Sequence, residues 1–186
     1  MDYLNIKQWK IILIILLPLG LVWIWFSSTL PGVESTRSTT APQVGFKAPE
    51  ISLLNLAGEK VSLSDFEGQV VMVNFWASWC TPCTREMPAM QAVYAKYHDK
   101  GFEILAVNTT YQDQKSEAEL FIQDNQLTYP ILFDLTGGTS RDYNLLSTPM
   151  SFFIDKEGII QNVIPGGPIT EAAIISIIES LLGEEN

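Results

Sequence analysis

The chain has few of the residues that usually carry chemistry. Among 186 residues there are two cysteines and one histidine. A single cysteine pair is too little to staple a domain of this size, and it supplies only two of the four ligands that zinc usually takes. Basic residues are also scarce, with 11 Lys and Arg against 21 Asp and Glu and a formal charge of −10. No basic stripe of the kind that grips a phosphate backbone is present, so nucleic acid is excluded as the expected partner. The acidic balance is assigned to solubility. There is no internal repeat, and residues 11–30 carry no charge.

What is there begins with the two cysteines, set in Asn74-Phe75-Trp76-Ala77-Ser78-Trp79-Cys80-Thr81-Pro82-Cys83. Val70-Val71-Met72-Val73 before them reads as a buried strand, and Met87, Met90, Tyr94 and Tyr97 after them share one side of a helix. The pair therefore sits where a strand ends and a helix begins. The first turn of a helix offers unpaired N–H groups and a partial positive charge, which favour a thiolate at Cys80. A free thiol near pKa 8.5 is about 3% ionised at neutral pH, and lowering its pKa by about 1.5, roughly 2 kcal/mol, makes it about half ionised. Cys80 is the expected nucleophile. Cys83, on the same helix face and one turn deeper, lies within bridging distance as the resolving thiol. A purely stabilising disulfide is disfavoured because so short a ring removes little unfolded-chain entropy. His98, about 22 Å further along at ~1.5 Å per residue, reads as a solvated side chain rather than a ligand.

Length and composition fit one soluble domain plus an extension. Ile11 to Leu30, about twenty residues, covers about 30 Å as a helix, the hydrocarbon thickness of a bilayer. Pro18 and Gly20 are tolerated in such helices, and Trp9, Trp23 and Trp25 are placed for the two interfaces. Lys7 and Lys10 precede the stretch, whereas Glu34 and then Arg37 are the first charges after it. Positive-inside bias then puts residues 1–10 in the cytoplasm and residues 11–30 across the cell membrane as a single pass. The stretch is longer than a usual signal h-region and no Ala-x-Ala site follows, which favours an uncleaved anchor over a cleaved signal peptide. Residues 31–48 are small, polar and unperiodic and read as a flexible linker, with residues 49–186 as the extracytoplasmic domain.

Within that domain, Ile51 to Leu56 and Val61 to Leu63 flank Ala57-Gly58-Glu59-Lys60 as a β-hairpin. Phe102 to Val107 reads as a second buried strand, completing a β-α-β unit. Ser116-Glu117-Ala118-Glu119 fits a capping box opening a helix, and Pro130 to Phe133 a short strand. Asp134 to Thr139 reads as a loop and Arg141-Asp142-Tyr143 as one helical turn. Met150 to Ile154 and Ile159 to Ile164, joined by Asp155-Lys156-Glu157-Gly158, read as antiparallel strands. After Pro165-Gly166-Gly167-Pro168, Thr170 is placed to cap a last helix that Gly183 stops.

The run from Asn74 to Cys83, followed by Glu86-Met87-Pro88, resembles the thioredoxin-fold proteins. Within them it most resembles the membrane-anchored thiol–disulfide oxidoreductases of the TlpA/ResA type, over about residues 46–182. The resemblance implies an α/β thioredoxin fold, a central mixed sheet flanked by helices, with the hairpin at its N-terminal edge and one transmembrane helix ahead of it. It implies a cis proline facing the cysteines, and Thr148-Pro149 holds that place. A proline there keeps a backbone N–H from the sulfur and leaves the Thr148 backbone to pair with an extended substrate segment. For Glu86 it implies a role in thiol pKa and proton transfer, where the bare helix position would equally suit an exposed glutamate. Asn74 stands where thioredoxins proper carry a buried aspartate and cannot accept a proton at neutral pH, which leaves Glu86 as the candidate base for Cys83. Trp79, Thr81, Pro82, Thr148 and Pro149 make up the expected substrate-facing set. Trp76 reads equally as core or site, and Pro88 as a kink that does not end the helix.

The expected activity is exchange: Cys80 attacks a disulfide of a target protein, and Cys83 resolves the mixed disulfide. Neither a metal nor a cofactor beyond the redox-active Cys80–Cys83 disulfide is called for. A reductant anchored outside the cytoplasm needs electrons from across the membrane, so the implied partners are protein disulfide substrates and a membrane thiol–disulfide donor. In that family such electrons often serve apocytochrome c maturation, and no residue here names that substrate. Two alternatives share the fold. A peroxiredoxin would place hydroxyl and proline residues where Ala77 and Val73 stand, and a Sco-type copper chaperone would want CxxxC with a histidine across the site.

Overall fold

The computed structural model describes residues 40–183, together with Pro18 and Trp23. The expected cytoplasmic segment, the membrane span apart from those two residues, and the linker up to residue 39 lie outside the described residues. Among the described residues no helix is long and apolar enough to cross a membrane.

A hairpin of β1 (Ser52–Asn55) and β2 (Lys60–Ser62) opens the domain. β3 (Val70–Trp76) follows, then the long helix α1 (Thr81–Tyr97) and β4 (Phe102–Asn108). β3 and β4 run parallel, so α1 is the crossover of a β-α-β unit. Next come α2 (Lys115–Asp124), β5 (Ile131–Phe133) and the short α3 (Gly138–Asp142). β6 (Met150–Ile154), β7 (Ile160–Pro165) and α4 (Glu171–Leu182) complete it. Among the described residues seven strands form one mixed sheet in the order β2-β1-β5-β4-β3-β6-β7. β3 lies between β4 and β6, and all seven of its residues are buried, which is why its sequence is apolar on both faces.

The strand period of two sorts the β3 side chains. Val71, Val73 and Phe75 join Leu105, Phe152 and Tyr143 on one face. Met72 and Trp76 point the other way, into a core shared with Met87 and Met90 of α1 and Ile174 and Ile178 of α4. Asn74 has the same parity as Met72 and Trp76. A polar side chain is thereby directed into the packing under α1.

Several local readings are corrected. The chain becomes part of the domain before residue 49: Gly45, Phe46 and Ala48 bond backbone to backbone with Gly158 and Ile160, so the linker ends some residues earlier than its composition implied. The Ser116–Glu119 capping box does not form. α2 starts at Lys115 with Gln114 as N-cap, and Glu119 turns instead to Lys115, 3.4 Å away. His98 is exposed, as its position implied, and also faces a carboxylate. The chain reverses at Gly101, whose φ of 86° suits a residue without a Cβ, and this returns Glu103 to within 3.4 Å of His98 Nδ1. Thr170 does cap α4, accepting from the Ala173 N–H, and α1 continues through Pro88.

Candidate active site at the head of α1

The site is built where β3 gives way to α1. Cys80 is the N-cap of that helix, its sulfur accepting from the Cys83 N–H at 3.3 Å. This is one of the orphan donors a helix start leaves, and it is aimed at the sulfur where negative charge develops when the bridge opens. Thr81 and Pro82 form the first turn, where a proline's missing N–H costs nothing. Cys80 and Cys83 are joined as a disulfide with Cα atoms 5.3 Å apart. Cys83 is fully buried, whereas Cys80 keeps 3% exposure, so only Cys80 offers any surface to an incoming group.

The approach to Cys80 is clamped by a residue the sequence did not single out. Asp113 accepts from the Ser78 N–H at 2.7 Å, the Ser78 hydroxyl at 2.6 Å and the Asn108 amide at 2.8 Å. Four residues of loop are thus fastened to the end of β4. Trp79 is 59% exposed, yet its indole N–H donates to the Gln112 carbonyl at 3.0 Å, which holds the ring as a fixed wall. Trp76, in contrast, is fully buried against Phe121 and belongs to the core.

Thr148-Pro149 is a cis bond. The β3–β6 register pairs Phe75 with Met150, which puts Pro149 at the end of the sheet from which the chain leads to Cys80. Behind it runs a strap from Gly166 to Ile169, containing a second cis bond at Gly167-Pro168. Gly166 N–H donates to the Pro149 carbonyl. A Cβ on Gly167 would stand 2.6 Å from both Pro149 Cγ and Glu86 Oε2, so the strap, the cis proline and Glu86 are packed without slack.

Glu86 is not the exposed helix glutamate its position allowed. It is 1% exposed, with Oε1 accepting from the Asn74 amide at 2.8 Å and Oε2 from the Ile169 N–H at 2.9 Å. Asn74 also donates to Ser151 Oγ at 3.0 Å. Burial raises the Glu86 carboxyl above its ordinary range, against the smaller pull of the Ile169 and Asn74 hydrogen bonds toward the charged form. A buried carboxyl with a raised pKa thus lies one helical turn beyond Cys83.

A model of the AhpC/TSA family matches residues 44–163. The chain belongs to the AhpC/TSA family. This AhpC/TSA chain is 43% identical over 122 residues to thioredoxin-like protein YneN of Bacillus subtilis, covering 65% of the chain and 71% of that protein. It is 40% identical over 142 residues to the thiol-disulfide oxidoreductase ResA of Geobacillus kaustophilus, covering 76% of the chain and 80% of ResA. A solved thiol:disulfide interchange protein of the thioredoxin family from Chlorobium tepidum superposes with a TM-score of 0.68 at 28% identity. That match covers 74% of this chain and 96% of the other. Within the AhpC/TSA family, then, this is a thioredoxin-like chain of the ResA kind and a thiol–disulfide oxidoreductase. Ala77 and Val73, both buried, stand where a peroxidatic site would place a hydroxyl residue and a proline. Among the described residues no three His, Cys, Asp or Glu side chains converge as a metal site.

Proposed function

We propose that this oxidoreductase is a protein-disulfide reductase working outside the cytoplasm. Residues 11–30 hold it to the membrane, a membrane thiol–disulfide donor re-reduces it, and apocytochrome c is among its substrates. The single observation that carries the exchange chemistry is the asymmetry of the pair: Cys80, at the head of a helix, keeps 3% exposure, and Cys83 is fully buried one turn on. Similarity to ResA-type relatives and the uncharged stretch at 11–30 support the rest.

In the reduced enzyme the Cys80 thiolate attacks one sulfur of a protein disulfide, forming a mixed disulfide and releasing the other sulfur as a thiolate that takes a proton. Cys83 then loses its proton toward Glu86 and attacks Cys80 Sγ. The S–S bond to the substrate breaks, the second substrate thiol departs, and the Cys80–Cys83 disulfide remains. Two electrons have passed to the substrate, and a donor dithiol restores the enzyme by the reverse sequence. Trp79, Thr81 and Pro82 on one side and Thr148 with Pro149 on the other hold the substrate chain.

Equilibrating the full chain with dithiol buffers of known potential tests the direction. A value near the reducing end of the thioredoxin-fold range, about −270 mV, is expected, whereas one near −120 mV would make it an oxidant. Cys83→Ser should accumulate a mixed disulfide with substrate and Cys80→Ser should accumulate none. Carbonate extraction of membranes carrying the full chain tests the anchor, release into the supernatant counting against it.

A further inference from the structure

Trp79 divides a groove beside the disulfide into two unlike lobes. The smaller, about 320 Å³, is walled by Tyr111, Leu145, Leu146 and Thr148, with no Asp, Glu, Lys or Arg in its lining. Leu146 there is 90% exposed, an apolar side chain with nothing covering it among the described residues. The larger lobe, about 790 Å³, has an apolar wall of Tyr111, Leu120 and Phe121 and three carboxylates, Asp113, Glu117 and Asp124, with no Lys or Arg.

The three carboxylates are not equivalent. Asp113 is committed to Ser78, Asn108 and the Gln114 N–H. Glu117 and Asp124 are exposed on α2 and form no ion pair among the described residues; Lys115 of the same helix is taken by Glu119. Positions 117, 120, 121 and 124 recur at helical spacing, so two free carboxylates and two apolar side chains share one face. An aromatic and aliphatic floor beneath carboxylates suits a long cationic side chain, whose methylenes pack on the floor while its head reaches the charges.

The groove also borders the residues that flank the reacting pair. Trp79, common to both lobes, precedes Cys80 in the chain, and Thr148 of the smaller lobe precedes the cis proline. Resting on the reductase reading above, we infer that the groove sets substrate choice. It docks the polypeptide around a substrate disulfide, with a lysine or arginine in the Glu117–Asp124 lobe and an apolar residue against Leu146. Acidic flanks are turned away by the same carboxylates.

The test uses the full chain in its reduced form and three synthetic peptides with one intramolecular disulfide, identical except for flanks of Lys, Gln or Glu. At low salt the Lys peptide is expected to exceed the Glu peptide about tenfold in kcat/KM, a preference that shrinks at high salt. In the double variant Glu117→Gln with Asp124→Asn the preference should fall below about threefold. A charge-matched control, Glu157→Gln with Glu171→Gln, should keep it, which separates local docking from net charge. Equal rates for Lys and Glu peptides in the unaltered chain, or an undiminished preference in the double variant, would overturn the inference while leaving the reductase standing. Failure to reduce any of the three peptides would instead strike down the reductase reading and this one with it.

Discussion

The Asn74 amide donates to Glu86 Oε1 across 2.8 Å, while Asn74 Oδ1, equally buried, has no partner. The two residues lie on different elements, β3 and α1, and meet inside the core. In this orientation the amide serves the charged carboxylate. A half-turn of the amide would offer Oδ1 to a protonated carboxyl, and the Ser151 hydroxyl, able to donate or accept, would still be satisfied. Asparagine in this place can therefore serve both protonation states of its neighbour without carrying a charge itself.

The stability of the fold should report the Glu86 proton. Its folded pKa is raised above the ordinary 4.5 by burial, so between that value and the raised one the folded state binds more proton than the unfolded chain. Stability contributed by Glu86 is then full below the ordinary pKa, declines as pH rises through the window, and levels above it. Urea midpoints of the native chain and of Glu86→Gln, measured from about pH 4 to pH 9, should diverge with rising pH in favour of the variant. Parallel curves would count against a raised pKa.

Exchange should slow in the same variant. Glu86→Gln keeps the shape of the side chain but removes its ability to take a proton, and general-base assistance is typically worth about 10²-fold or more. We expect the resolving step, followed by decay of a preformed mixed disulfide, to lose about that factor near neutral pH and to lose its pH-dependent limb. An unchanged rate and profile would remove Glu86 from the chemistry.

Asn74→Asp should be tolerated in acid and not in base. It sets a second carboxylate against Glu86, and two buried carboxylates at hydrogen-bond distance share one proton readily but not zero. Near pH 5 the variant should match the native chain. Near pH 9 it should be less stable by about 3 kcal/mol, as expected for an uncompensated buried charge. Denaturant melts at the two pH values make the comparison.

Gly167→Ala should damage both fold and activity. The added Cβ would meet Pro149 and Glu86 at 2.6 Å, and neither can withdraw, since one is a ring at the head of β6 and the other is held by two hydrogen bonds. Overpacking of this kind costs about 1–3 kcal/mol. A loss below about 0.5 kcal/mol in urea would show that the strap yields more readily than its packing implies.

The sequence exposed the parts of this site that depend on local pattern. The apolar run Val70–Val73 and the helix-period Met and Tyr residues placed Cys80 and Cys83 at a strand–helix junction, and the hairpins at 57–60 and 155–158 formed where turn residues stood. The partners of Glu86 were not legible, because they come from 12 and 83 residues away and only the closed sheet brings them together. Asp113, 35 residues from the serine it clamps, was hidden for the same reason. The cis bond at Pro149 came from the family resemblance, and the one at Pro168 from neither route, since proline spacing alone does not select an isomer. The capping box at 116–119 does not form because the helix begins ahead of it, at Lys115, which puts Ser116 inside the helix, while Glu119 faces Lys115.

The near-closure of Cys80 over a fully enclosed Cys83 makes the pair a gated conductor. Where many thiols and disulfides coexist, a potential alone would let electrons leak toward whichever small molecule is most abundant. On the proposed docking along Trp79 and Thr148, the 3% opening at Cys80 would tie electron flow to molecular fit as well as to potential.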